Sequence, residues 1–452
     1  MGGDGYWLDR RRLTVCSRLC VALYLAALLS WLAADVWLAE APVTTLRNDF
    51  AGFWSVGHLV LDGRASEAYL PDLALAAQAA YAPEHEVRLP WFYPPQLFFL
   101  LAPLAALPYL PAFFLWSGGC LFGLAWSLRA LAPETPAVAL LLASPGLIWI
   151  LRFGQTGVLA AALLGGAVFL MARGRPLRAG LLIGLLTFKP QLGLLLPFAL
   201  VAGKEWRAFA AAAFATLGIA GASTLAFGCD VWPRFLAAMD IAFTLQADGS
   251  LPHDQMVSLY APLRVLGLGH APAVSLQALL GVAVLALVVR AWRRLGAGLL
   301  AGALLAAGSL LVSPHVLGYD LVVFAPAIAI LAADGLARGW LRGEREGLIL
   351  LWFWPLFAGV IAELTGFPVG IAGSLLLFAL AARRCRVADA RARTGTAGRG
   401  STAPEDVARG RRPPHSRDFC RTARVEWAAR PVLRPVAFEK RRRSRGHDGR
   451  AG

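Results

Sequence analysis

Charge is scarce in this chain. Only 16% of its 452 residues are Asp, Glu, Lys or Arg, 58% are hydrophobic, and the mean hydropathy is +0.60. A soluble globular domain carries about 25% charged residues, so the composition excludes a water-soluble fold and points to a polytopic membrane protein. The six cysteines (Cys16, Cys20, Cys120, Cys229, Cys385 and Cys420) are scattered, and none forms a C-x-x-C pair. Neither a zinc site nor a disulfide framework has a basis. No phosphate-cradling glycine loop or nucleotide fingerprint occurs; the glycines are dispersed as small packing residues. ATP and nucleotide-sugar substrates are thereby disfavoured, and an activated donor would have to arrive through the membrane. An internal repeat is also missing, which weakens a transporter built from inverted halves.

The net charge of +15 is concentrated at one end. Residues 383–452 hold 20 Lys plus Arg against 7 Asp plus Glu, which leaves the rest of the chain nearly neutral at 23 against 21. That tail, with RGRRPP (409–414) and KRRRSR (440–445), lacks apolar periodicity. It is expected to be a disordered cytoplasmic extension drawn to anionic lipid head groups, rather than a nucleic-acid-binding arm. At the other end, Arg10, Arg11 and Arg12 precede an apolar run too long for a signal peptide, and Asp35 stands where a cleavage site would need small residues. An uncleaved first span is expected.

Apolar stretches able to cross about 30 Å of hydrocarbon recur at 13–38, 95–109, 110–131, 135–151, 155–172, 177–203, 206–228, 270–290, 296–313, 316–333, 347–363 and 367–382. The expected architecture is therefore all-α, with about twelve transmembrane helices in a domain spanning 1–382. Basic residues mark the cytoplasmic side: Arg10–Arg12, RAWRRLG (290–296), RGWLRGERE (338–346) and RRCR (383–386). Both termini then lie inside, and the loops 39–92 and 229–255 and the turn SPHVLGYD (313–320) all face outward. RGRPLR (173–178) and KEWR (204–207) both look cytoplasmic, although a single run, 177–203, separates them. Lys189-Pro190 interrupts that run, so two short helices meeting at Lys189 near the outer face are expected, with 135–153 dipping in without a full crossing; the alternative is one kinked span with RGRPLR outside. Amphipathic helices lying on the bilayer surface are expected within 229–255 and from Ala65 to Tyr81.

The first outer loop is far longer than a connection needs, opening RNDFAGFW (47–54) and closing WFYPPQ (91–96). Asp49 follows Asn48 and sits among Phe50, Phe53 and Trp54. A carboxylate partly desolvated by such neighbours is a better proton acceptor, although Asp49 could equally cap a helix starting at Phe50. Lys189, the first lysine in the chain, needs an anion: a structural carboxylate, a lipid phosphate or a lipid-linked substrate. Arg152 and Gln155 in LRFGQTG (151–157) share its side and would add phosphate contacts. His315, Tyr319 and Asp320 fall on one outer turn, and His253 and Asp254 are weaker candidates.

In order, RNDFAGFW, FYPPQLFFLLAPLAALP (92–108), FGQTGVLAAAL (153–163), AGLLIGLLTFKPQLGLLLP (179–197) and SPHVLGYD resemble glycosyltransferase family 87. The resemblance covers residues 15–380. It implies a GT-C-type fold and a polyprenyl-phosphate-sugar donor, with mannose as the sugar. A lipid-linked or cell-envelope glycan would accept it with inversion, outside the plasma or inner membrane. It also implies an acid in the first outer loop as general base, a position only Asp49 matches. Lys189, Arg152 and His315 would balance the phosphate charge, with Gln155, Tyr319, Asp320, Asn48 and Tyr93 completing the substrate site; no cofactor is expected. The competing readings are a transporter or flippase of lipid-linked intermediates, and a membrane scaffold acting through the basic tail.

Overall fold

The computed structural model of the protein describes residues 10–37, 48–83, 90–133 and 135–400. Among these residues the chain is helical with no strand, and its extended segments meet in one isolated antiparallel bridge, Met256 with Leu317. In order come α1 (Arg10–Trp37), α2 (Phe50–Leu61), α3 (Pro71–Tyr81), α4 (Phe98–Ala105), α5 (Tyr109–Leu131), α6 (Ala137–Leu142) and α7 (Pro145–Phe153). There follow α8 (Gly157–Ala172), α9 (Pro176–Leu185), α10 (Pro190–Gly193), α11 (Leu196–Ala202), α12 (Trp206–Phe227), α13 (Val231–Asp248) and α14 (Tyr260–Val265). The last are α15 (His270–Leu295), α16 (Leu299–Val312), α17 (Phe324–Arg338), α18 (Glu344–Thr365) and α19 (Gly370–Gly400). Five segments are long and apolar enough to cross a membrane: α5, α12, α15, Gly318–Arg338 and α18. The expected dozen is not reached by that measure; shorter apolar helices, α8 and α16 among them, accompany the five. The outer face of α12 leaves Phe214, Leu217 and Leu225 exposed by 77%, 72% and 91%. Such a surface is stable against lipid tails and not against water.

Small residues set the helix directions by letting backbones touch. A Cβ on Gly180 of α9 would strike Ala208 and Ala212 of α12, and one on Gly184 would strike Ala212 and Ala215. The two helices therefore run parallel, and Arg175 and Lys204, each just ahead of one of them, share one end of the bundle. The break expected at Lys189 is present: α9 gives way to a 3-10 turn at Leu186–Phe188, and α10 starts at Pro190. α11 then leads back, so that Gly203 lies against Trp292 near the end of α15. Trp292 in turn donates to Ala301 O at the start of α16, and Cys385 of α19 reaches Leu300 O. Residues 173–178, 203–207, 290–300, 334–346 and 383–386 thus form one basic end.

Two expectations need correction. Gly123 meets Ala162, and Gly165 meets Ser127, so α5 and α8 are parallel and Tyr109 lies at the same end as Gly157. The segment 95–109 accordingly does not cross: α4 folds back against α2, where a Cβ on Gly57 would strike Leu101 and Ala105. The segment 135–153 does run the full way back as α6 and α7, beside α18, with Trp352 bonded to Leu140 O and Gly146 against Pro355. Apolar length predicted the segments but not their directions.

The loops expected to carry surface helices do contain helices: α13, and a 3-10 turn, Ala65–Tyr69, followed by α3. The first residues of the basic tail continue α19 to Gly400, and the rest of it lies outside the described residues. Arg384 pins this stretch, donating to Glu344, Asp334 and Gly339 O.

Cysteine substitutions on a background lacking the native cysteines test the shared end. Arg175→Cys and Lys204→Cys should react with an impermeant thiol reagent from one face of sealed vesicles, and Ser250→Cys from the other. Labelling of 175 and 204 from opposite faces would contradict the parallel packing of α9 and α12.

Candidate functional site

At the end opposite the arginines, the sequence motifs meet. Gly154 closes α7 in the left-handed region, with φ +68°, and a Cβ there would come within 2.7 Å of Phe50 Cβ. Only glycine suits that conformation and that closeness, so the GQ step seats α2 directly on the end of α7. Trp116 Nε1 donates to Gly154 O at 2.8 Å, and Phe50 packs among Tyr109, Phe113 and Trp116. The start of α2 is fixed in this way, and Asp49 is delivered to Gln155.

Asp49 occupies the N-cap position of α2 but makes no capping bond. That role passes to Asn48, whose Oδ1 accepts from Phe50 N at 3.1 Å and from Tyr109 OH at 2.6 Å. The Asp49 carboxylate accepts instead from Gln155 Nε2, at 2.6 Å, and remains half-buried. Of the two roles open to it, helix cap is the one its side chain does not perform.

From Gln155 a continuous chain of polar contacts runs inward. Tyr93 OH donates to Gln155 Oε1 at 3.2 Å and lies 3.0 Å from Thr156 Oγ1. Lys189 Nζ donates to Thr156 Oγ1 at 3.4 Å and to Asp320 Oδ1 at 2.5 Å, and sits 4.6 Å above the Tyr319 ring. Lys189 and Asp320 are each only 2% exposed at the side chain. An ion pair so far from water must satisfy itself, and of the three anions open to Lys189 the structure supplies the carboxylate. Asp320 also closes its own 3-10 turn, Gly318–Val323, with Leu317 N at 3.4 Å from Oδ2. Gly157 makes room for that turn, since a Cβ would lie 2.5 Å from Tyr319 O.

Depth follows from helix length. From the start of α9, ten α-helical residues and a three-residue 3-10 turn carry the chain about 21 Å toward Lys189, whereas the parallel 22-residue α12 rises about 33 Å. Lys189 is therefore sunk about a dozen ångströms below the far end of its neighbour.

Asn48, Asp49, Tyr93, Gln155, Lys189, Tyr319 and Asp320 are thus brought together. The backbone of Arg152 belongs to α7, but its side chain lies outside the described residues. His315 sits half-buried in the turn beside the pair, where burial pushes its pKa down, Asp320 pulls it up and Lys189 pushes it down again. Burial weighs most and the net shift is downward, which favours the neutral ring over the cation expected of it. His253 and Asp254 belong to a short strap whose Val257 N donates to Val316 O at 2.8 Å. The His253 ring packs on Tyr260 instead of joining the network. Sequence reasoning passed over Thr156 and Tyr109. Thr156 stands inside the GQTG motif, fully buried, between two residues already singled out. Among the described residues no group of three or more His, Cys, Asp or Glu side chains could hold a metal ion.

An apolar helical bundle with a buried polar network at one end defines a polytopic membrane protein with a recessed site. The family model of glycosyltransferase family 87 matches residues 91–314, and this marks the protein as a glycosyltransferase. The matched segment contains Tyr93, Arg152, Gln155, Thr156 and Lys189, stops just before His315, and begins after Asp49. No curated protein and no solved structure gives a significant match.

Two measurements probe the network. Lys189→Met or Asp320→Leu alone strands a buried charge and should cost about 3–5 kcal/mol, whereas the double substitution should recover most of the loss; melting in detergent reads both. Burial holds the pKa of folded His315 below the ordinary value near 6.5 that it has when unfolded, so stability should be full above about pH 6.5 and fall as the unfolded chain takes up the proton below it. His315→Gln should flatten that fall, and an unchanged acid limb would show that His315 does not cause it.

Proposed function

We propose that the protein transfers a hexose, mannose on the family resemblance, from a polyprenyl-phosphate donor to a hydroxyl of a lipid-linked or cell-envelope glycan. The basic end is assigned to the cytoplasm by the placement of arginines, which puts the site on the extracytoplasmic side. The observation that carries the reading is Asp49. Its carboxylate stands at the half-exposed start of the polar chain, released from capping by Asn48 and oriented by the Gln155 amide.

In the proposed step Asp49 takes the proton of the acceptor hydroxyl as its oxygen attacks the anomeric carbon. The bond from that carbon to the phosphate oxygen breaks, the electron pair leaves with the polyprenyl phosphate, and configuration inverts. Lys189 is compensated by Asp320 and enclosed, so we assign it to holding Thr156 and Tyr93 in place rather than to meeting the phosphate as a free cation. The Tyr93 hydroxyl and the neutral His315 ring are proposed as hydrogen-bonding partners of the donor, and Arg152 as the cation for the developing phosphate charge. The same arrangement accounts for an outer loop that opens with an acid, which a flippase reading leaves without a role.

Transfer of radiolabelled sugar from polyprenyl-phosphate-sugar in isolated membranes tests the assignment. Asp49→Asn should lower the rate by about 10²- to 10⁴-fold, the span of general-base contributions, at equal protein level. Gln155→Ala should act in the same direction by a smaller factor, since it removes the orientation and not the base. A wild-type rate for Asp49→Asn would end the assignment.

A further inference from the structure

The other end of the bundle carries a second charged feature that catalysis does not use. A cavity of about 380 Å³ opens between α16, α17 and α19, walled by Leu300 and Val387 and edged by Asp334, Arg338, Arg384 and Arg391. Its charges do not cancel. Arg384 is buried and saturated by Glu344, Asp334 and Gly339 O. Arg338 pairs with the same Asp334 at 2.9 Å while 54% of its side chain is exposed, so its guanidinium can turn outward. Arg391 has no ion-pair partner among the described residues. One aspartate is thus shared by two arginines, and a third points to nothing of opposite sign.

We propose that this cavity binds the phosphate of an anionic phospholipid. Guanidinium groups grip phosphate oxygens in a forked geometry that an ammonium cannot match. A basic pocket between spanning helices, at the end where arginines flank the spans, is where anionic head groups are held. The apolar walls at Leu300 and Val387 suit the glycerol and first acyl carbons. A zwitterionic lipid would bring its own cation against Arg338 and Arg391, so selectivity for net negative charge follows. Because Arg338 lies on α17 and Arg391 on α19, one head group would tie the two helices together beside the Arg384 lock. The proposal is independent of the glycosyltransferase reading.

The full-length protein in neutral detergent is titrated with phosphatidylglycerol, phosphatidylcholine or inorganic phosphate, and binding is read by native mass spectrometry and by the shift in melting temperature. Phosphatidylglycerol should bind at least tenfold more tightly than phosphatidylcholine. Arg338→Gln with Arg391→Gln should lose at least tenfold of that affinity, whereas Arg293→Gln with Arg294→Gln, equally basic but outside the cavity, should retain it. Equal loss in both pairs would reduce the effect to general surface attraction and overturn the proposal. Competition by inorganic phosphate at the same concentration as the lipid would overturn it too. Should the double variant melt early without lipid, Arg391→Gln alone decides, because it removes no contact made within the described protein.

Discussion

Everything at the site end is arranged around an ion pair that water does not reach. Lys189 and Asp320 come from segments 131 residues apart, and each constrains the chain that carries it. Lys189 can sit there only because α9 stops and α10 begins anew at Pro190. Asp320 can sit there only because its turn is closed by its own carboxylate and is admitted by the missing side chain of Gly157. A buried pair is weak as a source of stability, since desolvating two charges cancels most of their attraction. Its strength is geometric: with any other arrangement of α9, α8 and the turn, at least one charge would be stranded. The pair therefore selects one packing of three elements, and the hydroxyls of Thr156 and Tyr93 inherit fixed positions from it.

The polar residues of this network were legible in the sequence to an unusual degree, because a charged or amide side chain inside an apolar run has no cheap explanation. Lys189 declared itself in that way, Asp49 through the length of the loop that carries it, and Gln155 and Asp320 through their places in the GQTG and SPHVLGYD segments. Thr156 and Tyr109 did not, because hydroxyls are tolerated in apolar helices and tyrosines are common at membrane surfaces. Their part depends on neighbours brought close only by folding. Helix direction was the weaker reading. Hydropathy measures how long a segment is, not which way it runs, and 95–131 contains no basic residue before Arg129 to settle the matter. What settles it in the structure is glycine: Gly57, Gly123, Gly165, Gly180 and Gly184 each touch a specific partner, and a glycine's partner cannot be named from sequence.

The two ends of the bundle solve the same problem in opposite ways. At the basic end Arg384 is enclosed by two carboxylates and a carbonyl, and each of its three guanidinium nitrogens donates locally. At the site end the last member of the chain, Asp49, is held on one side by Gln155 and remains partly open on the other. A closed network fixes a joint; an open one presents a group to something that enters. The difference lies in where each network stops relative to solvent.

Recession of the site gives that opening a direction. α8 and α16, at 16 and 14 residues, are about 24 and 21 Å long and begin or end at the polar network, shorter than the roughly 30 Å of a bilayer's hydrocarbon. Lys189 and Asp320 consequently lie below the level reached by α12, and the rings of Phe53, Trp91 and Tyr93 pack against one another beside the network. The short helices and the buried ion pair are thus one constraint: pairing the lysine inside the bundle is what allows α9 to stop short and the polar network to lie below the far end of α12.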